Sequence, residues 1–188
     1  MVVGMKTQVT LEALAARLAD ASAAGSPHPE RVRALVADAL QDRDWLEPRY
    51  AAIPDGDAYA LFPVYRDPRK RCSMLVVSLR PGVPLPVHDH GSWAVIGVYS
   101  GRERETRYAR LDDRRTAGHA SLVRASESVN EAGSVVVVPD GEIHSVEALD
   151  GLPAISLHVY GTDIVTQERR TFDLERETEE VFRPTFSE

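Results

Sequence analysis

Two histidines one residue apart lie in the stretch PVHDHGSWAVIGVYSG, residues 86–101. If this stretch is a β-strand, side chains two apart share a face, so His88 and His90 point the same way and can reach one metal ion. The same alternation places Ala94 on that face, where a carboxylate would be a further ligand. A His-x-His pair alone is a short motif that also describes a polar strand face. Its surroundings must decide between the two.

Two gapped patterns surround this pair. The first contains a glycine, the two histidines, the alanine and a second glycine: Gly82, His88, His90, Ala94, Gly101. The second contains a glycine, a proline, a glycine and a histidine: Gly133, Pro139, Gly141, His144. Together they resemble the two signatures of the cupin family, in the family's order. The resemblance implies a jelly-roll barrel in which His88, His90 and His144 bind a metal.

Most cupins carry a glutamate where this chain has Ala94. Three neutral imidazoles leave a divalent ion with its full charge and with open coordination positions. Such a site suits an anionic substrate ligand such as a thiolate, with room for dioxygen. Iron(II) fits this interpretation better than zinc, although ligand type alone leaves zinc, nickel and manganese open.

A third motif, SLHVYG, places Ser156, His158 and Tyr160 on one face of a late strand. These side chains can form a hydrogen-bond relay in which the serine orients the imidazole and the imidazole orients the phenol. With the histidine pair and Ala94, the motif resembles the thiol dioxygenases of the cysteine dioxygenase family, in particular the bacterial branch that includes 3-mercaptopropionate dioxygenase. That family uses three-histidine iron(II) to insert both atoms of O2 into a thiol, which gives a sulfinate.

The resemblance also implies roles for these positions. Tyr160 would place its hydroxyl near the substrate and oxygen, with His158 and Ser156 setting its orientation. Mammalian-type members have a cysteine at the position of Ala94, crosslinked to the tyrosine. Alanine cannot form that bond, so no crosslink is expected here.

The substrate is less clearly indicated, because the family places an arginine or a glutamine where this chain has Leu61. A leucine cannot hold a carboxylate by hydrogen bonds. The alternative anion partner is Arg169, which falls where the mercaptopropionate-type branch has an arginine. The competing interpretation is a surface arginine, since exposed arginines are common. We therefore expect a mercapto-acid or a related small thiol, with cysteine a poor substrate.

The elements that position these residues can be predicted from periodicity. Thr10 caps a helix that ends near Gly25, and a second helix starts at Pro29. Short strands rich in Val, Ile and Tyr then follow, which favours a mainly β sandwich or barrel. They are predicted at 58–65, 72–79, 92–100, 104–111, 121–126, 134–138, 143–149 and 154–160, with a further candidate at 170–174 and a solvated charged strand or helix in the tail. We therefore predict one cupin domain, a double-stranded β-helix at 58–188 with an N-terminal α-helical extension at 1–57 packed on the barrel.

Composition excludes several classes of protein. The formal net charge of −7 disfavours a nucleic-acid or anionic membrane surface, and no apolar run approaches the length of a membrane span. The N-terminal MVVGM is too short for a signal peptide, and the single cysteine suits a reducing cytoplasm. The expected partners are a small thiol and O2, and the oligomeric state is open. Two alternatives to a thiol dioxygenase also stay open: another three-histidine cupin oxygenase, acting on a diketone or enediolate, and a non-catalytic metal-binding or small-molecule-binding cupin.

Overall fold

A computed structural model describes residues 10–42, 44–183 and 185–187; the N-terminal stretch MVVGM lies outside them. Two helices come first, α1 (Leu11–Ala21) and α2 (Pro29–Ala39), followed by a 3-10 turn at Pro48–Ala51. The Thr10 side chain accepts a hydrogen bond from the Ala13 amide, which is the predicted cap of α1. Within the described residues, neither helix has the length and apolar character needed to cross a membrane.

The strands follow in one continuous series. In the described residues they are β1 (Tyr59–Arg66), β2 (Ser73–Leu79), β3 (Val87–His88), β4 (Ala94–Ser100), β5 (Arg102–Arg110), β6 (Leu122–Glu131), β7 (Val135–Val138), β8 (Ile143–Ala148), β9 (Ala154–Tyr160), β10 (Arg169–Asp173) and β11 (Thr178–Phe182).

These strands form two antiparallel sheets. One has the order β1-β2-β9-β4-β7 and the other the order β11-β10-β3-β8-β5-β6. Their inner faces share one apolar cluster, in which Leu75 and Ile96 of the first sheet meet Val146 of the second. The fold is therefore the predicted mainly β jelly roll of the cupin type, with an N-terminal pair of helices.

The helices cover the outer face of the first sheet. Side chains alternate along β2, so that Leu75 faces the other sheet while Met74 packs with Leu18 and Val36 of the helices. Because both faces are covered, every residue of β2 is buried. At Gly97 of β4, an added Cβ would collide with the Val36 side chain, so glycine permits the helix to approach this closely. The proposed boundary at residue 57 stays a prediction.

One strand prediction was wrong in detail. The strand model placed His88, His90 and Ala94 along one face, but β3 ends at His88 and Ala94 begins β4 in the opposite sheet. The chain crosses between the sheets through Gly91, whose φ of +59° favours glycine. Local alternation cannot reveal such a crossing.

Candidate metal centre

Three histidines from different parts of the chain converge between the sheets. His88 and His144 are register partners on β3 and β8, and His90 reaches them from the loop after β3. His90 Nε2 lies 3.2 Å from Nε2 of His88 and 3.3 Å from Nε2 of His144. All three residues are buried. The structure thus brings together the three histidines that the sequence predicted as ligands.

In His88 and His144, the hydrogen bond made by Nδ1 determines whether Nε2 carries a hydrogen or a lone pair. His88 Nδ1 lies 2.9 Å from the Pro86 carbonyl oxygen, which can only accept, so Nδ1 carries the hydrogen. His144 Nδ1 lies 2.9 Å from Glu105 Oε1 and donates in the same way. Both rings therefore direct an Nε2 lone pair at His90. Lone pairs that converge on a buried point are stabilised by a cation between them.

The spacing between His90 and each of the other two rings fits a shared transition-metal ion, and all three ligand nitrogens lie within 4.8 Å of one another. Nitrogens 3.2 Å apart, each about 2.1 Å from a shared ion, subtend about 100° at it, between octahedral and tetrahedral angles. Burial and the neighbouring His144 hold the pKa values of His88 and His90 well below the ordinary histidine value, so both rings are in the neutral form that ligates metal. These three residues could hold a metal ion.

No carboxylate joins this group of potential ligands in the described part of the chain. Ala94 is fully buried in the inner cluster and is the register partner of Tyr160 on β9. It therefore lies beside the tyrosine, although it belongs to the sheet opposite His88. A metal held here would keep its full charge and its remaining coordination positions.

The predicted relay is present beside the histidines. Ser156 Oγ lies 3.0 Å from His158 Nε2, and His158 Nδ1 lies 3.0 Å from the Tyr160 hydroxyl. The Tyr160 ring makes an edge contact with the His90 ring at a centroid separation of 5.1 Å. Burial lowers the pKa of His158 to about 3 and raises that of Tyr160 to about 12. At neutral pH the relay therefore has an uncharged imidazole and an intact phenol.

A narrow pocket leads to this centre. Among its lining residues are Leu61, His88, His158, Tyr160, Arg169 and Phe182. Arg169 is 4% exposed, so the surface-arginine interpretation is wrong. Its Nε and Nη2 have no hydrogen-bond partner among the described residues, and its guanidinium lies 5.5 Å from the centre of the Phe182 ring. An unpaired buried guanidinium is costly by itself and suits an anionic ligand.

Asp89, which lies between His88 and His90 in the sequence, is hydrogen-bonded to the backbone of β10, the strand that carries Arg169. Its carboxylate accepts a hydrogen bond of 2.8 Å from the Arg170 amide, and its own amide donates to the Arg170 carbonyl. Asp89 therefore connects the histidine loop to β10.

Two buried carboxyl groups near the site were missed from the sequence. Glu103 and Glu105 are 2% and 3% exposed on β5, in the stretch RERETRY. Although burial alone would raise the pKa of Glu105, the hydrogen bond with His144 and the nearby Arg107 hold it below the ordinary value. The sequence signal for these buried carboxyl groups was the alternation of arginine and glutamate along the strand, which predicts that one of the two residue types faces the interior. The predicted strand began one residue too late to include Glu103.

No family model matches the chain. A solved structure of Bacillus subtilis oxalate decarboxylase, from a study of its Mn(II) centres, is 24% identical over 54% of this chain and 24% of its own, with a TM-score of 0.42. Another, of the same enzyme at pH 4.6, is 27% identical over 50% of this chain and 22% of its own, with a TM-score of 0.39.

An oxalate oxidase in complex with the substrate analogue glycolate is 19% identical over 65% of this chain and 61% of its own, with a TM-score of 0.47. The chain thus spans about a quarter of the length of the oxalate decarboxylases. The class of protein is defined by the fold and the site themselves: a mainly β jelly roll of the cupin type with a buried three-histidine site suited to a metal ion.

Proposed function

We propose that this protein is a non-haem iron(II) oxygenase that converts a small mercapto-acid to its sulfinate. The overall reaction is R–SH + O2 → R–SO2H, in which sulfur is oxidised and both oxygen atoms are retained. The observation that carries the proposal is the pocket itself, because one cavity is lined by His88, by the relay residues His158 and Tyr160, and by the unpaired Arg169.

The metal would be held by His88, His90 and His144. Three neutral imidazoles without a carboxylate suit iron(II) with an anionic sulfur ligand. When bound, iron(II) would supply the redox chemistry by which O2 reacts with the thiol sulfur. Ala94 supports this arrangement, since its methyl group leaves the remaining positions to the substrate and oxygen.

The carboxylate of the substrate would bind Arg169. Burial lowers the pKa of this guanidinium, but an arginine keeps its charge in proteins. Two of its nitrogens are free of hydrogen bonds and can bind a carboxylate in the bidentate manner. Leu61 lines the same pocket and offers no donor, so the amino group and carboxylate of cysteine would lack a second polar partner there.

Tyr160 would act on the reacting end of the substrate. Its hydroxyl is anchored by His158 and its ring contacts His90, so the phenol is held beside the proposed metal. A hydroxyl fixed in this way can donate a hydrogen bond to charge that develops on oxygen or sulfur. The surrounding apolar side chains exclude water and strengthen that interaction.

A second candidate is a three-histidine cupin oxygenase that acts on a diketone or enediolate. The observation that favours it is the apolar wall around Leu61, which suits a carbon substrate as well as a thiol. The solved structures described above are named for oxalate enzymes and not for thiol enzymes, which is nearer to this alternative. Their TM-scores below 0.5 do not decide between the two.

Oxygen uptake by the iron-loaded protein distinguishes these candidates. The substrates would be 3-mercaptopropionate, cysteine, the uncharged thiol 2-mercaptoethanol, and a small diketone. We expect the mercapto-acid to be fastest, with one sulfinate formed for each O2 consumed. Oxygen uptake with the diketone alone would support the second candidate, and no uptake with any compound would contradict both.

A further inference from the structure

The second sheet ends at β6, a strand of 10 residues that pairs only with β5 among the described strands. Every residue from Val123 to Val129 is exposed. An edge strand presents unpaired N–H and C=O groups to any other strand, and proteins usually block such an edge with proline, lysine or a covering segment. The sequence of β6, LVRASESVNE, contains neither proline nor lysine.

The other edges of the two sheets are shorter or partly covered. β7 has only 4 residues. β1 contains Pro63, and its Leu61 carbonyl accepts a hydrogen bond from the Ser187 amide. On β11, the Glu179 amide donates to the Gly118 carbonyl. In the described part of the chain, β6 is therefore the longest edge that is left open.

The register with β5 shows which backbone groups of β6 point away from the sheet. In an antiparallel ladder, the N–H and C=O of one residue point to the same side, and successive residues alternate. The Arg102 carbonyl accepts from Leu149 on the β8 side, whereas Leu111 donates to Ser121 on the β6 side. The odd-numbered residues of β5 thus bond to β6, and the β6 residues opposite the even-numbered ones point outward. These outward residues are Leu122, Arg124, Glu127, Val129 and Glu131.

Four of these five residues have no backbone partner among the described residues. The fifth, Glu131, is bonded to Ser134 in the turn that follows β6. The outward residues also share one face of the sheet, because the register omits Ala125 at a bulge. Arg124 and Glu127 are therefore neighbours on that face, and they form an ion pair at 3.3 Å.

We propose that β6 pairs with β6 of a second copy of this chain, antiparallel about a two-fold axis between Arg124 and Glu127. In this register, Arg124 lies opposite Glu127 of the second copy, and Leu122 lies opposite Val129 of the second copy. The symmetry repeats each relationship. Outward backbone groups face outward backbone groups in every pair, so the N–H and C=O groups are exchanged as in any antiparallel ladder. This dimer does not depend on the proposed function.

Charge favours this register over the adjacent ones. Opposite charges directly across two strands stabilise their pairing, and like charges destabilise it. A shift by one outward residue in either direction would place Arg124 opposite Arg124 of the second copy, or Glu127 opposite Glu127 of the second copy. The chosen register also lets Val129, which is 45% exposed, pack against a leucine. The bulge at Ala125 lies at the axis in both copies, so the register on either side is kept.

The molar mass of the full chain in solution tests this interface. Sedimentation velocity would extend to about 100 μM, since interfaces of ordinary size include micromolar ones. We expect the wild type to approach twice the 20.7 kDa of one chain. Arg124→Glu and Glu127→Arg each place like charges opposite one another, so each variant should be monomeric. Arg115→Glu, at an exposed position between β5 and β6, is the matched control and should dimerise as the wild type does.

An equimolar mixture of the two monomeric variants makes the test decisive. In a mixed dimer, the two glutamates of one chain lie opposite the two arginines of the other, so the mixture should recover the dimer mass. A folding defect cannot produce that recovery. Val129→Pro, which removes an outward N–H without breaking a bond to β5, should weaken the wild-type dimer.

Three results would overturn the proposal: a monomeric wild type, a dimer that persists in Arg124→Glu, or a mixture that stays monomeric. Pairing of this edge with a different protein would appear as the first of these. Thiol oxidation is measured separately, so its failure would contradict the proposed function and leave the dimer result unaltered.

Discussion

His144 Nδ1 lies 2.9 Å from Glu105 Oε1, and the two side chains are 1% and 3% exposed. The carboxylate fixes which nitrogen of His144 carries the hydrogen and directs the other at His88 and His90. Such carboxylate–histidine pairs orient a ligand and raise its basicity. The pair joins β5 to β8 and makes the geometry of the histidine site depend on a residue far from it in sequence.

Glu105→Gln should weaken metal binding between about tenfold and a hundredfold, because the neutral amide cannot support the imidazole as the carboxylate does. Competition of the protein with a chromophoric chelator for Fe(II) or Zn(II) measures this affinity. Glu147→Gln is the matched control on the adjacent strand and should bind metal as the wild type does. Equal affinities in all three proteins would contradict the orienting role of Glu105.

His144→Ala should lose most of the bound iron, since two imidazoles are too few ligands to retain the ion. Metal content of the purified protein, measured by atomic emission, checks this. His119→Ala changes a histidine outside the cluster and should leave the metal content unchanged. Stoichiometric iron in His144→Ala would show that the metal, if any, binds elsewhere.

Tyr160→Phe should keep its iron and lose oxygen transfer, or the coupling of O2 consumption to sulfinate formation. The phenol contacts the His90 ring but is not among the potential ligands. Oxygen-electrode and sulfinate assays on the same sample measure the coupling. Tyr108→Phe, in the small cluster around Phe172, serves as the control. Full rate and full coupling in Tyr160→Phe would disprove the role proposed for the relay.

Arg169→Ala should raise the KM for a mercapto-acid at least tenfold and leave that for an uncharged thiol unchanged, because it removes ground-state binding of the carboxylate. Arg170→Ala is the matched control. The side chain of Arg170, which follows Arg169 in the sequence, is half exposed and approaches Glu179. Cysteine should be a poor substrate, given Leu61. The assignment of Arg169 fails if its removal affects both thiols equally or neither.

Glu103→Gln should change how stability depends on pH. The pKa of Glu103 is about 7 in the folded protein and about 4.3 in an unfolded chain. Folding therefore favours the protonated group, and wild-type stability is lost as the pH rises from about 4.3 to 7. This loss is roughly 4 kcal/mol, at about 1.4 kcal/mol for each pH unit between the two pKa values. Relative to the wild type, the variant should gain that amount in free energy of unfolding between pH 4 and pH 8, as measured by urea denaturation. A constant difference would contradict the raised pKa.

Much of the site could be predicted from the sequence because local chemistry decides it. The His-x-His pair and the Ser156–His158–Tyr160 alternation are patterns of residue types at short spacing, and a single strand is enough to align Ser156, His158 and Tyr160. His144, far from the pair in sequence, was predicted through the resemblance to the cupin signatures. The mainly β fold likewise follows from short apolar strands separated by turns, and α1 from its cap and its stripe of leucines.

Tertiary structure alone decided which groups meet across the sandwich. The chain crosses between sheets at Gly91, so His88 and Ala94 belong to different sheets, and alternation within a strand could not predict this. The pairing of Glu105 with His144 joins residues 39 apart in sequence, and the bond between Asp89 and Arg170 joins residues 81 apart. The burial of Arg169 likewise follows from the packing of the whole fold. The order of the strands in the sheets sets these contacts. A buried charge without a partner, such as that of Arg169, can be recognised only when the fold shows which side chains are removed from water.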